Sequence, residues 1–155
     1  MTQLSYDDIL NYHDKILSTS GGRQGVLDQG LIESALARPF SGTSTGEEFY
    51  PTLFQKVAAM AQSFCLNHGF NDGNKRTGLV AGMLLLFRNG YYIPTPNEDE
   101  ATDFVLSIVD EDRIKRLNIA QIAKWFEEHA KRIEEGYTED YLRHIRLRYT
   151  GQELK

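Results

Sequence analysis

The stretch Asn67–Gly78, NHGFNDGNKRTG, decides how this chain is read. A histidine, an acid, two cations and several glycines and asparagines interrupt the most hydrophobic part of the sequence. On the N-terminal side, TLFQKVAAMAQSFCL (Thr52–Leu66) carries Leu53, Val57, Met60, Ala61 and Phe64 at helical spacing. On the C-terminal side, NKRTGLVAGMLLLFRNG (Asn74–Gly90) is apolar on nearly all sides, the pattern of a helix at the centre of a core, and Asn89-Gly90 closes it. Asn71-Asp72-Gly73 is a turn signal. The unit is therefore a helix–turn–helix with its chemistry in the turn.

Outward from this unit the periodicity stays helical. SYDDILNYHDKILSTSGG opens with Ser5 and two acids, places Ile9, Tyr12, Ile16 and Leu17 on one face, and ends at Gly21-Gly22. LDQGLIESALARPF reads as a second helix stopped near Pro39, and SGTSTGEEFYPT as a loop or loose hairpin. YYIPTPNEDEATDFVLSIVDED begins extended and turns helical after Pro96, with Glu98–Glu100 suiting the helix start. NIAQIAKWFEEHAKRIEEG is amphipathic, with Ile119, Ile122, Trp125 and Phe126 inward, and YTEDYLRHIRLRYTGQELK is a weaker helix. The pattern is all-α, with extended signals confined to the loop near residue 50 and to Tyr91–Ile93.

Composition sets the outer limits. At 155 residues, with 41% hydrophobic and 25% charged, the chain fits one globular domain that needs neither disulfide nor structural metal. Its single cysteine, Cys65, lies in an apolar helical pattern and reads as a small buried hydrophobe. The net charge of -5 argues against broad binding to a nucleic-acid backbone, while leaving room for a local cationic nucleotide site. The start lacks the basic and apolar segments of a secretory leader, and the apolar run Leu79–Phe87 is too short to span a bilayer, so a cytoplasmic location is expected.

The turn has a chemistry of its own. The first N–H groups of the helix starting near Asn74 lack intrahelical partners and favour an anion. Lys75 and Arg76 stand in that first turn, where the dipole disfavours cations unless a strongly negative group such as a polyphosphate joins them. Asp72 is an oxygen ligand of the type Mg²⁺ uses together with phosphates. His68, at the end of the preceding helix, is suited to taking a proton from an attacking hydroxyl. Phe70 is the apolar anchor of the loop. Taken singly these residues also have structural readings: His68 as a helix cap, Asn74 as an N-cap. The segment is not a Walker loop, since GNKRT does not fit G-x-x-x-x-G-K-[ST] and no strand precedes it.

The whole string resembles the signature of the Fic/Doc family, H-P-F-x-[DE]-G-N-G-R in Fic proteins and close to H-x-F-x-D-[AG]-N-K-R in the Doc branch. His68, Phe70, Asp72, Gly73, Asn74, Lys75 and Arg76 match the Doc form. Gly69 replaces the common proline, which is expected to loosen the turn after His68. LNYHDKIL, GGRQGVLDQGLIESALARP, YPTLFQKVAAMAQSFCLNHGF and LLLFRNGYYI are similar to the family's opening, entry-helix and exit-helix segments, so that the likeness runs from Leu4 to His129.

That resemblance implies an all-α Fic-domain bundle over residues 1–129, with the motif in a central helix–loop–helix and a short β-hairpin flap, followed by a helical extension over 130–155. It implies His68 as the base acting on a target-protein hydroxyl, Lys75 and Arg76 as catalytic cations, and Asp72 as the Mg²⁺ ligand. Gly73, Asn74, Lys75 and Arg76 would bind the phosphates of ATP or another nucleotide. Phe49, Tyr50 and Leu53 fall on the flap that holds the target segment, where Phe49 and Tyr50 either face the target or fill the hairpin core.

Lys75 occupies the volume that glycine leaves for a phosphate in AMP-transferring members. The resemblance therefore implies transfer of a phosphoryl group to a Ser or Thr hydroxyl, with elongation factor Tu the target in the Doc case. Nucleotidyl transfer (AMPylation or a related reaction) and a non-catalytic binding module are the alternatives. The self-inhibitory pattern [ST]-x-x-x-E-[GN] is not met, because Glu135-Gly136 is preceded by Lys131, so a small antitoxin acting in trans is the implied restraint. Tyr141, Arg143, Arg146, Arg148 and Tyr149 read as a solvated helix face, with a nucleic-acid or partner site as the alternative, and His13, His129 and His144 as structural or exposed.

Overall fold

Side-chain oxygens set the start of five of the six α-helices among the residues that the computed structural model describes, 1–94 and 97–133, with 19 and 20 described by backbone alone. Helix α1 (Tyr6–Ser20) begins in a capping box between Ser5 and Asp8. Helix α2 (Gln29–Ala37) is capped by Asp28 and runs into a single 3₁₀ turn, Arg38–Phe40, that contains Pro39. Helix α3 (Leu53–Asn67) starts in a capping box between Thr52 and Gln55. Helix α5 (Glu98–Ile108) is capped by Asn97, and α6 (Ile119–His129) by a box between Asn118 and Gln121. The exception is α4 (Asn74–Arg88), which follows Gly73 with no side-chain cap.

The central pair is α3 and α4. Every residue from Thr77 to Leu86 is buried, as the all-round apolar pattern requires. The two helices approach closely at Gly78, where an added Cβ would lie 2.5 Å from Cys65 Sγ and 2.9 Å from the Ala61 carbonyl oxygen. Around this pair, α1 packs on α4, α6 on α3, and α5 against both. Val57, Met60, Met83, Leu85, Leu86, Ile122 and Phe126 are fully buried, each stabilising the fold by about 1.5–3 kcal/mol before entropy is counted. The N-terminus is tied to the far end of α4, with Asp8 Oδ2 accepting from Arg88 at 2.8 Å and Asn89 exchanging two hydrogen bonds of 2.9 Å with the Thr2 backbone.

The extended signal at Tyr91–Ile93 becomes strand β1 (Tyr91–Tyr92), antiparallel to β2 (Lys131–Arg132) with Tyr91 opposite Arg132. This corrects the helix expected to run on through Lys131 and Arg132. At Ala130 the backbone turns extended (φ −83, ψ 144), and the two following residues satisfy their backbone groups against β1 instead. The polar loop after Pro39 is a hairpin-like flap, closed by the Gly42–Glu48 bridge and by Phe49 N donating to Ser41 O at 3.1 Å. The expected features at Glu135-Gly136, Tyr141, Arg143, His144, Arg146, Arg148 and Tyr149 lie outside the described residues. Among the described residues no helix is long and apolar enough to cross a membrane.

Candidate active site

The joint between α3 and α4 is built by a change of backbone hand. His68, the C-cap of α3, sits in the left-handed region (φ 48, ψ 48) and is the one non-glycine residue with positive φ among the described residues. Such a conformation costs on the order of 1 kcal/mol and persists where surrounding contacts enforce it. Here they do. The Gly69 carbonyl accepts from Leu27 N at 2.9 Å and Asp28 N at 3.1 Å, and Asn71 N donates to Gly25 O at 3.1 Å.

Gly69 does not loosen the turn. A Cβ at this position would stand 2.6 Å from Ile32 Cγ1, so glycine lets the chain press against α2 where a proline ring would collide. Asn74 is also not the N-cap. It is the first residue of α4, is buried, and clamps the loop from within: its Oδ1 accepts from Phe70 N and its Nδ2 donates to Phe70 O, both at 3.0 Å. Phe70 is 1% exposed, as its role of anchor requires. Gly73 takes the cap position with φ 77, a conformation that glycine adopts without a Cβ penalty.

This construction places His68, Asp72, Gly73, Asn74, Lys75 and Arg76 along a cavity of about 500 Å³ that Ile16, Leu17, Gly21 and Gly22 also line. The volume lies within the range of small-molecule sites. His68, Asp72, Lys75 and Arg76 are exposed to it. The first bond of the α4 ladder is donated by Thr77 N to Gly73 O at 3.0 Å, so the N–H groups of Asn74, Lys75 and Arg76 precede the ladder. Among the described residues neither Lys75 nor Arg76 enters an ion pair. One Asp72 carboxylate oxygen accepts from Gly73 N at 2.9 Å.

Cys65 lies behind the turn and is no nucleophile. Burial pushes its thiol up to about 12, with Lys75 pulling the other way, and its Sγ–H points at Lys75 O.

The flap residues do not line this cavity. Leu53 is the first residue of α3 and packs on the core. Tyr50 belongs to the support of the hairpin: its hydroxyl accepts from Arg38 Nε at 3.0 Å, and the Arg38 guanidinium lies over its ring. Phe49 is 58% exposed and is the aromatic the flap presents outward.

Two residues of this arrangement, Lys56 and Arg38, escaped the sequence reading, and a third, His13, reads there only as structural or exposed. Lys56 is buried and donates to Glu48 Oε1 at 3.0 Å, Tyr50 O at 2.6 Å and Pro39 O at 3.3 Å, fastening the flap to α3. Arg38 also reaches Gln62 and Ser63 of α3, at 2.9 Å each. His13 is 1% exposed, stacks on Phe70 with ring centroids 3.7 Å apart, and meets Asp72 O at 2.7 Å. Its place between Ile9 and Ile16 on the apolar stripe of α1 was the available signal.

Comparison with known proteins places the joint inside a recognised family. The Fic/DOC family model matches residues 3–86, which include the whole joint. Toxin Doc of Mycolicibacterium smegmatis (strain ATCC 700084 / mc(2)155) is 39% identical over 93 residues, 59% of this chain and 71% of the relative. Protein kinase doc of Escherichia phage P1 is 32% identical over 93 residues, 60% of this chain and 72% of the relative.

Proposed function

The chain belongs to the Fic/DOC family, and from that premise we propose that it is a Doc-like toxin that moves a phosphoryl group from ATP to a Ser or Thr hydroxyl of a target protein. The observation that carries the proposal is the start of α4. A helix N-terminus without a side-chain cap, bearing two exposed cations, borders a cavity that also takes in an exposed histidine and an exposed carboxylate. A polyphosphate satisfies the N–H groups and both cations at once.

In this reading each residue has one task. His68 takes the proton of the target hydroxyl as its oxygen bonds to the terminal phosphorus of ATP and the bridging oxygen leaves with ADP. The N–H groups at the start of α4 hold phosphate oxygens, with Arg76 gripping two in a fork and Lys75 acting as a point charge. Asn74 keeps Phe70 and the loop in register.

Asp72 fits a Mg²⁺ ion shared with phosphates. Among the described residues no three His, Cys, Asp or Glu side chains group into a protein-only metal cage, and a single carboxylate beside a phosphate-sized cationic cavity is the donor set this ion uses. When bound, Mg²⁺ supplies further positive charge on the phosphate oxygens. Phe49, outward on its flap, contacts the target segment, with Tyr50 and Leu53 as its support.

The name Protein kinase doc favours phosphoryl over nucleotidyl transfer, as does the bulk of Lys75 at the phosphate site. The toxin relatives support a small antitoxin as partner, and elongation factor Tu is the proposed target. Labelled ATP tests the proposal. With a cell lysate, label is expected to pass to protein from γ-labelled but not α-labelled ATP, and His68→Ala is expected to slow it by about 10²–10⁴-fold. Passage of α label would establish nucleotidyl transfer instead. No transfer from any of several nucleotides would leave a binding module.

A further inference from the structure

The proposed reaction gives no task to His13, a deeply buried titratable side chain beside the cavity. It is 1% exposed, lies one helix away in α1, and is 59 positions from the residue it touches. Its Nε2 stands 2.7 Å from the backbone oxygen of Asp72. A carbonyl oxygen only accepts, so Nε2 carries the hydrogen and donates it. The same ring stacks on Phe70 at an interplanar angle of 11°. His13 thus touches both ends of the turn: the ring of its apolar anchor, and the carbonyl of the residue whose carboxylate faces the cavity.

Asp72 O accepts the hydrogen bond by which His13 of α1 holds this turn, and the peptide it belongs to leads into Gly73 and the α4 N-terminus. Rotation of that peptide would swing the Asp72 carboxylate and tilt the first N–H groups of α4 together. Gly73 follows this contact directly, beside His13 and Leu17, and its positive φ of 77 is what the turn requires of it.

We infer that His13 is a positioning residue: its Nε2–H fixes the Asp72–Gly73 peptide and with it the direction in which the Asp72 carboxylate and the start of α4 face the cavity. That this direction matters for a magnesium nucleotide rests on the function proposed above. The positioning itself does not.

The test uses the full chain and three variants. His13→Phe keeps the ring on Phe70 without a donor, His13→Leu keeps apolar volume without ring or donor, and His13→Gln keeps an N–H near the Nε2 position. In ligand-free protein, amide exchange at Phe70, Asn71, Gly73 and Thr77 is expected to quicken about tenfold in the Phe and Leu variants and to return to the wild-type rate in the Gln variant. Amides of α3 and α6 should not change. Affinity for Mg-ATP, measured by calorimetry, should fall about tenfold in the Phe and Leu variants and recover in the Gln variant.

Unchanged exchange in the Phe and Leu variants would overturn the inference, as would a Gln variant exchanging as fast as they do or failing to fold. So would failure of both the Phe and Leu variants to fold, which would make His13 a requirement of the fold rather than of the turn. A wild-type chain that binds no Mg-ATP would count against the proposed function and leave the exchange result to decide the role of His13.

Discussion

Helices α3 and α4 are both 15 residues long and lie side by side at the centre of the molecule, yet they begin in opposite ways. At the start of α3, Thr52 Oγ1 accepts from Gln55 N at 3.2 Å, and Gln55 Oε1 accepts from Thr52 N at 3.1 Å. The cation of its first turn, Lys56, is folded inward onto a carboxylate and two carbonyls. At the start of α4, Gly73 offers no side chain, and Lys75 and Arg76 stand exposed at the positive end of the dipole. The first helix start is completed by the protein's own atoms. The second concentrates positive charge where a helix disfavours it, and that cost becomes a gain only when an anion arrives. On the proposed function the contrast separates residues kept for stability from residues kept for binding, and substitutions at the two ends should sort accordingly.

The widest separation is expected from Arg76→Ala, which under the proposed function removes one grip on the transferring phosphate. It should lower phosphoryl transfer by about 10²–10³-fold while leaving the melting temperature unchanged or slightly raised, read by label transfer and calorimetry on the same preparation. Loss of fold in this variant would erase the contrast. Next comes Lys56→Met, which strips Tyr50 O and Pro39 O of their donor. A stability loss of roughly 1–3 kcal/mol is expected in denaturant titration, together with faster proteolysis of the flap. The matched Lys75→Ala should show neither. Thr52→Ala should cost about 1 kcal/mol of stability and leave transfer at saturating ATP within about twofold of wild type.

The smallest effect concerns Asp8. Burial works to raise its carboxyl, but hydrogen bonds from Ser5 and from Arg88 prevail and hold it below its ordinary value of 3.8. A depressed carboxyl contributes stability that is present above the ordinary value and is lost as pH falls through the lowered one. The gap in melting temperature between wild type and Asp8→Asn should therefore be open at neutral pH and close under acid conditions. With both partners partly exposed, the corresponding stability difference should stay within roughly 1 kcal/mol.

The sequence made one side of the contrast more legible than the other. Caps at Ser5 and Thr52 are local signals, and the apolar runs of α3 and α4 repeat every turn, so both helices and the polar joint between them stood out. Asn74 was legible as a polar residue at a helix start, but not its task, because an N-cap and an inward clamp on Phe70 use the same side chain. The end of α6 at His129 was hidden for another reason: Lys131 and Arg132 continue a helical pattern, and only pairing with Tyr91 and Tyr92, about forty positions away, draws them into a strand. Gly69 looked permissive because glycine is flexible in isolation; against Ile32 it is a space requirement. His13 was legible as structural or exposed, but its partner was not, because Asp72 is far along the chain, although a histidine on the stripe between Ile9 and Ile16 must bury a polar ring and therefore needs a partner.

The measurement that bears most directly on the open start of α4 is a calorimetric titration of Mg-ATP into wild-type chain and Arg76→Ala at two salt concentrations. One site is expected in the wild type, weakening as salt rises, with affinity at least about tenfold lower in the variant. Equal affinity in the two proteins, or no binding by the wild type at millimolar ATP, would contradict the assignment of this helix start to a polyphosphate.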